Sequence, residues 1–102
     1  MENKALRMMG LAKRAGKIVP GAPLTEKAIR GKKAKLVIIA ADAADNTKKS
    51  IINTSAYYKA QYRVCFTKEE ISKAIGSSET AVLAVTDYNL AKVIAESIEV
   101  LE

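Results

Sequence analysis

Residues 21–43, GAPLTEKAIRGKKAKLVIIAADA, place a short cationic helix directly before a wholly apolar strand. Pro23 suits the first helical position, because its ring already fixes a helical φ and the N–H it lacks has no intrahelical partner there. Lys27 follows Pro23 by four residues and Arg30 follows Lys27 by three, so the three share one helix face. Gly31 is the expected stop. Lys32, Lys33 and Lys35 come next, and residues 36–41 form the unbroken apolar run of a strand buried on both faces. A lysine near a helix N-terminus, where free amides already favour anions, suits a phosphate-rich partner.

On the N-terminal side, residues 3–15 read as a helix. Ala5, Met8, Met9 and Ala12 fall at core-facing spacing, and Arg7 and Arg14 lie on another face. Gly16 stops this helix, and Ile18 with Val19 forms a short strand broken by Pro20 and Gly21. On the C-terminal side, the polar loop 42–46 supplies Asp42 and Asp45 as expected caps for a third helix over 47–62, whose buried stripe is Ile51, Ile52 and Ala56. Residues 63–66 read as a strand. Thr67 and Glu70 then make a capping box for a helix over 68–75, which Gly76 ends. After the loop 76–80, residues 81–85 are a further apolar strand. Asp87 caps a last helix running towards Glu102, with Leu90, Val93, Ile94, Ile98 and Leu101 on one side. Helices alternate with strands that are apolar on both faces. This predicts an α/β fold: one domain over 1–102, a three-layer α/β/α sandwich around a mixed sheet of about four strands.

The chain has 102 residues, with 17 lysines and arginines against 11 acids. Ten of the basic residues and two of the acids lie in residues 1–35, so the positive field arises from one third of the sequence. That segregation is the footprint of a polyanion binder. The chain has no histidine, which removes the usual general base and the commonest metal ligand. Cys65 is the sole cysteine, so it forms no internal disulfide or cysteine-rich metal site; between Val64 and Phe66 it reads as a small packed hydrophobe. No catalytic residue, metal or cofactor is expected. No run approaches the roughly 20 apolar residues of a membrane span, and the N-terminus lacks the apolar core of a signal peptide. The expectation is a cytoplasmic protein with no membrane partner.

The segment GLAKRAGK, residues 10–17, superficially matches a phosphate-binding P-loop. However, five residues separate its glycines, Ile18 stands where a hydroxyl would hold magnesium, and no strand precedes it. It is read instead as a helix C-terminus with a basic rim. Glu69 and Glu70, beside Lys68 and Lys73, read as a solvated helix face. Tyr57, Tyr58 and Tyr62 read as half-buried packing with wet hydroxyls. Aromatic residues are 5% of the chain and none lies in the basic third, so a phosphate backbone or structured RNA suits it better than stacked single strands.

The ordered series formed by GLAKRAGK, Gly21 with Lys27 six residues on, KAIRGKKAKLVIIAADA (27–43) and ISKAIG (71–76) resembles the kink-turn-binding ribosomal protein family, and most closely its small bacterial branch, over nearly the whole length. The resemblance implies an α/β/α fold that grips RNA kink-turns through three pieces. The start of the second helix would supply Gly21, Ala22, Pro23, Leu24 and Lys27, with Gly21 allowing close backbone approach. The loop after the apolar strand would supply Asp42. The loop before the last strand would supply Ser77, Ser78, Glu79 and Thr80. The family's asparagine and glutamate, which read tandem G·A pairs, fall on Pro23 and Leu24, and neither side chain can hydrogen-bond a base edge. Each good base contact is worth about 1–3 kcal/mol of discrimination. The expectation is a non-catalytic RNA-binding protein with relaxed or altered kink-turn specificity. Lys27 would meet a phosphate or a guanine edge, and Arg30, Lys33 and Lys35 would neutralise phosphates with help from Arg14 and Lys17. The implied partner is structured RNA, kink-turn-like or ribosomal, bound by a monomer associated with ribosomes and translation. A competing reading keeps the fold but makes it a protein-interaction adaptor, because Pro23 and Leu24 render that edge more apolar.

Overall fold

The computed structural model describes residues 3–100. Nine elements alternate along them: α1 (Lys4–Arg14), β1 (Ile18–Pro20), α2 (Ala22–Arg30), β2 (Leu36–Ile39), α3 (Asp45–Tyr57), β3 (Tyr62–Val64), α4 (Lys68–Ile75), β4 (Val82–Val85) and α5 (Tyr88–Val100). The strands form one sheet in the order β1-β4-β2-β3. β4 runs antiparallel to both β1 and β2, with Ile18 and Leu36 each opposite Val85, and β2 runs parallel to β3 with Val37 opposite Tyr62. Every residue of β2 and β4 is buried. Fully burying a side chain such as Leu36 or Ile38 contributes about 1.5–3 kcal/mol. Helices α1, α4 and α5 pack together over one face of the sheet, and α2 and α3 over the other. The expected three-layer sandwich with a four-stranded mixed sheet is therefore present. No described helix is long and apolar enough to cross a membrane.

Local chemistry explains most element boundaries. Asn3 caps α1 by accepting from the amides of Ala5 and Leu6 at 2.8 and 3.3 Å. Thr67 and Glu70 close the expected capping box on α4, and Gly76 ends that helix in the left-handed conformation. Asp87 caps α5 through Leu90 N at 2.9 Å. The stripe of α5 buries Ile94 and Ile98; its expected continuation to Leu101 lies outside the described residues. Ala5, Met9 and Ala12 of α1 are fully buried, whereas Met8 is half-buried.

Several boundaries differ from the sequence reading. Gly21 is the N-cap of α2, which starts at Ala22, so Pro23 is its second residue. Pro20 belongs to β1, an edge strand, where a missing N–H is tolerated. α3 stops at Tyr57 and does not reach Tyr62. Lys59 turns left-handed at φ 58°, and Ala60 N donates back to Ser55 O at 2.8 Å. This frees Gln61 O to accept from Val37 N at 2.9 Å, so Tyr62 opens β3. Phe66, also left-handed at φ 64°, turns the chain after β3.

The pairing gives the sheet two distinct ends. At the upper rim β1, β2 and β3 finish and β4 begins. At the lower rim the first three begin and β4 finishes.

Candidate functional site

At the upper rim the chain brings together the three pieces that sequence reading singled out. Gly21 N donates to Val82 O at 2.8 Å, which ties the start of α2 to the start of β4. Ala40 N donates to Ala81 O at 2.8 Å, which brings the β2–α3 loop against the loop that precedes β4. Gly21, Ala22, Pro23, Leu24, Asp42, Glu79 and Thr80 therefore belong to one end of the molecule, and Ser77 and Ser78 lead into it from the end of α4. Gly21 has φ 91° and ψ 151°, a region essentially restricted to glycine. No atom lies within 4 Å of where its Cβ would be, so the requirement is conformational and the surface stays open to close approach. Pro23, Leu24 and Lys27 are exposed. Lys27 stands about 9 Å down the helix axis from Gly21.

The loops of this rim are pinned. Asp42 Oδ1 accepts from Lys68 N at 2.8 Å, so Asp42 caps α4 and not α3, as its neighbourhood in the sequence had suggested. Asp45 is the first residue of α3, whose N-cap Ala44 makes no side-chain bond. Lys48 Nζ donates to Ala41 O at 2.8 Å. Ser72 Oγ accepts from Thr80 N at 2.7 Å and holds the α4–β4 loop against α4. Between these loops and α4 lies a depression of about 760 Å³ bordered by Asp42, Lys68, Lys73 and Glu79. Sequence reading missed Ser72, and a serine inside a helix carries no local signal for the loop it anchors.

The remaining basic residues do not gather there. Lys17 immediately precedes β1, and its carbonyl accepts from Thr86 N at 2.9 Å. Lys35 immediately precedes β2, and its amide donates to Val85 O at 2.8 Å. Both, with Lys33, occupy the lower rim, and β2 separates Lys35 from Ala40 by about 16 Å. Arg14 borders the groove between α1 and α4, beside Gly76. The expected gathering of cations around the opening turn of α2 is thus corrected, because one four-residue strand carries the chain from one rim to the other. Arg30 is already engaged: its guanidinium donates to Glu26 Oε1 at 2.9 and 3.2 Å and to Tyr58 Oη at 3.5 Å. Glu26 first, then Tyr58, raises the pKa of Arg30 and keeps it charged. Of the three tyrosines, Tyr58 and Tyr62 are half-buried as expected. Tyr57 is 80% exposed, meeting Tyr58 edge-on at 5.0 Å, so its packing role is corrected.

Proteins of the same build are known. An RNA-binding protein YlxQ from Enterococcus faecium is 42% identical over 96 residues, spanning 94% of this chain and 92% of its own. An RNA-binding protein YlxQ from Bacillus subtilis (strain 168) is 39% identical over 84 residues, spanning 82% and 84%. A protein of unknown function from Bacillus halodurans superposes with a TM-score of 0.93 at 31% identity, covering 96% of this chain and 99% of that one. The Giardia lamblia 15.5kD RNA binding protein superposes at 0.78 with 26% identity, covering 92% and 81%. The model of the Ribosomal protein L7Ae/L30e/S12e/Gadd45 family matches residues 3–95, and this chain belongs to that family.

Proposed function

We propose that this chain is a non-catalytic, cytoplasmic RNA-binding protein that holds structured RNA against its upper rim, in association with ribosomal or similar RNA during translation. The observation that carries this reading is the convergence of residues 21–24, Asp42 and residues 79–80 on one pinned rim with an open backbone at Gly21. The relatives' names support it. Pro23 and Leu24 offer no hydrogen bonds to a base edge, so recognition rests on backbone, shape and phosphate contacts, and kink-turn preference is relaxed.

The test is titration of a kink-turn RNA, a plain duplex and a single strand at several salt concentrations. Lys27→Ala should weaken binding to all of them similarly and lower the salt slope by about 1, as a lost phosphate contact does. Installing the family pair with Pro23→Asn and Leu24→Glu should raise the kink-turn preference over duplex by roughly tenfold or more. Unchanged binding of Lys27→Ala would remove that lysine from the interface. One observation favours the adaptor reading: Leu24, on this rim, is 53% exposed. A stable protein complex through Leu24, with none of the three RNAs bound, would establish it instead.

A further inference from the structure

The lower rim holds cations that the upper-rim reading leaves unused. An open cleft of about 500 Å³ there is lined by Lys32, Lys35, Lys59, Arg63 and Lys92. They come from four places in the chain: the α2–β2 loop, the α3–β3 turn, β3 and α5. Glu96 is the one carboxylate lining the cleft among the described residues. Lys32, Lys35, Lys59 and Lys92 are exposed. Arg63 is oriented by its own bond to Tyr62 O at 3.0 Å.

Two further observations bear on the occupant. Lys32 and Lys59 both take φ 58°, where glycine is the ordinary choice. A β-carbon crowds the backbone there, so lysine stands at two positions where backbone strain argues against it. Tyr88, 67% exposed, lies four residues before Lys92 on the same face of α5 and adds a flat ring to the mouth of the cleft. Compact ammonium groups around an open cleft suit a phosphate backbone, and an exposed tyrosine suits the sugars and bases beside it.

We infer that the lower rim is a second RNA site, one that takes the phosphate backbone of a helical segment while the upper rim stays free. One molecule then bridges two RNA segments on opposite ends of its sheet. The lower-rim site stands on the lower-rim residues alone, and only the bridging rests on the upper-rim reading.

The experiment is backbone amide NMR of the 11.0 kDa chain titrated with a short RNA duplex. Expected are shifts at residues 32–35, 59–63 and 88–96. The double variant Lys35→Glu with Lys92→Glu should lose those shifts and reduce the salt slope of duplex binding by about 1.5. Lys32→Gly with Lys59→Gly relaxes the backbone, so it should keep or raise the melting temperature while still weakening binding, which separates lost contact from lost fold. Shifts confined to residues 21–27 and 77–80, or a charge-reversed variant with the parent's slope, overturn the second site and leave the first. Shifts confined to the lower rim sustain the second site and sink the first, and no shift at either rim overturns both.

Discussion

Gly10 sits where α1 packs against α4. A Cβ there would lie 2.9 Å from the carbonyl oxygen of Ala74, a backbone atom that cannot swing aside. Alanine would add roughly 1 kcal/mol of helix propensity. Forcing two packed helices apart costs about 1–3 kcal/mol. We expect Gly10→Ala to lower stability by up to about 2 kcal/mol in a urea melt, and to loosen residues 77–80, which follow directly from the displaced end of α4. A melt at or above the parent midpoint would show that the helices part freely. Nothing local in GLAKRAGK reveals this role, because the neighbour that demands a glycine is more than 60 residues away. The motif's superficial likeness to a phosphate loop drew attention to the right glycine for a different chemistry.

Among the elements, α4 shows which boundaries a sequence states openly. Thr67, Glu70 and Gly76 are cap and stop within ten residues, and the helix runs between them as read. α3 lacks such a stop: Lys59 turns left-handed without being glycine or asparagine, so the expected helix end, Tyr62, lies five residues beyond the actual one, Tyr57. Asp42 shows the converse problem. Its capping chemistry was legible, but the recipient is Lys68 N, 26 residues on, and only the fold brings them together. The bond stitches the β2–α3 loop to the helix whose Ser72 holds the α4–β4 loop. Asp42→Ala should cost about 1 kcal/mol, the ordinary loss for a cap, and speed amide exchange at Lys68 and Ala41. Asp42→Asn keeps an acceptor and should retain most of that protection. Equal exchange in parent and Asp42→Ala would mean that Thr67 and Glu70 alone hold this end.

At the scale of the whole molecule, the layers were legible because apolar runs and caps are local properties. The charge distribution was not, because position along the chain differs from position in space. The first 35 residues carry ten basic groups, yet Lys17, Lys33 and Lys35 lie at the lower rim while Lys27 lies on α2 above them. Binding through such cations has a definite dependence on conditions. The chain has no histidine, the one side chain whose ordinary pKa falls between pH 5 and 8. Arg30 has its pKa raised by Glu26 and then Tyr58, so its charged form is the stabilised one. A cation with a raised folded-state pKa keeps that stabilisation at every lower pH and loses it only as pH climbs through that already high value. RNA affinity should therefore stay within about twofold from pH 5.5 to 8.0 at fixed salt. Salt should act strongly. With four phosphates engaged, a slope of about 0.8 each gives roughly a hundredfold loss between 50 and 200 mM. Measuring affinity on a grid of both variables separates the two dependences. A tenfold change with pH at constant salt would mean that a titrating group, and not the permanent charge of lysine and arginine, carries the contact.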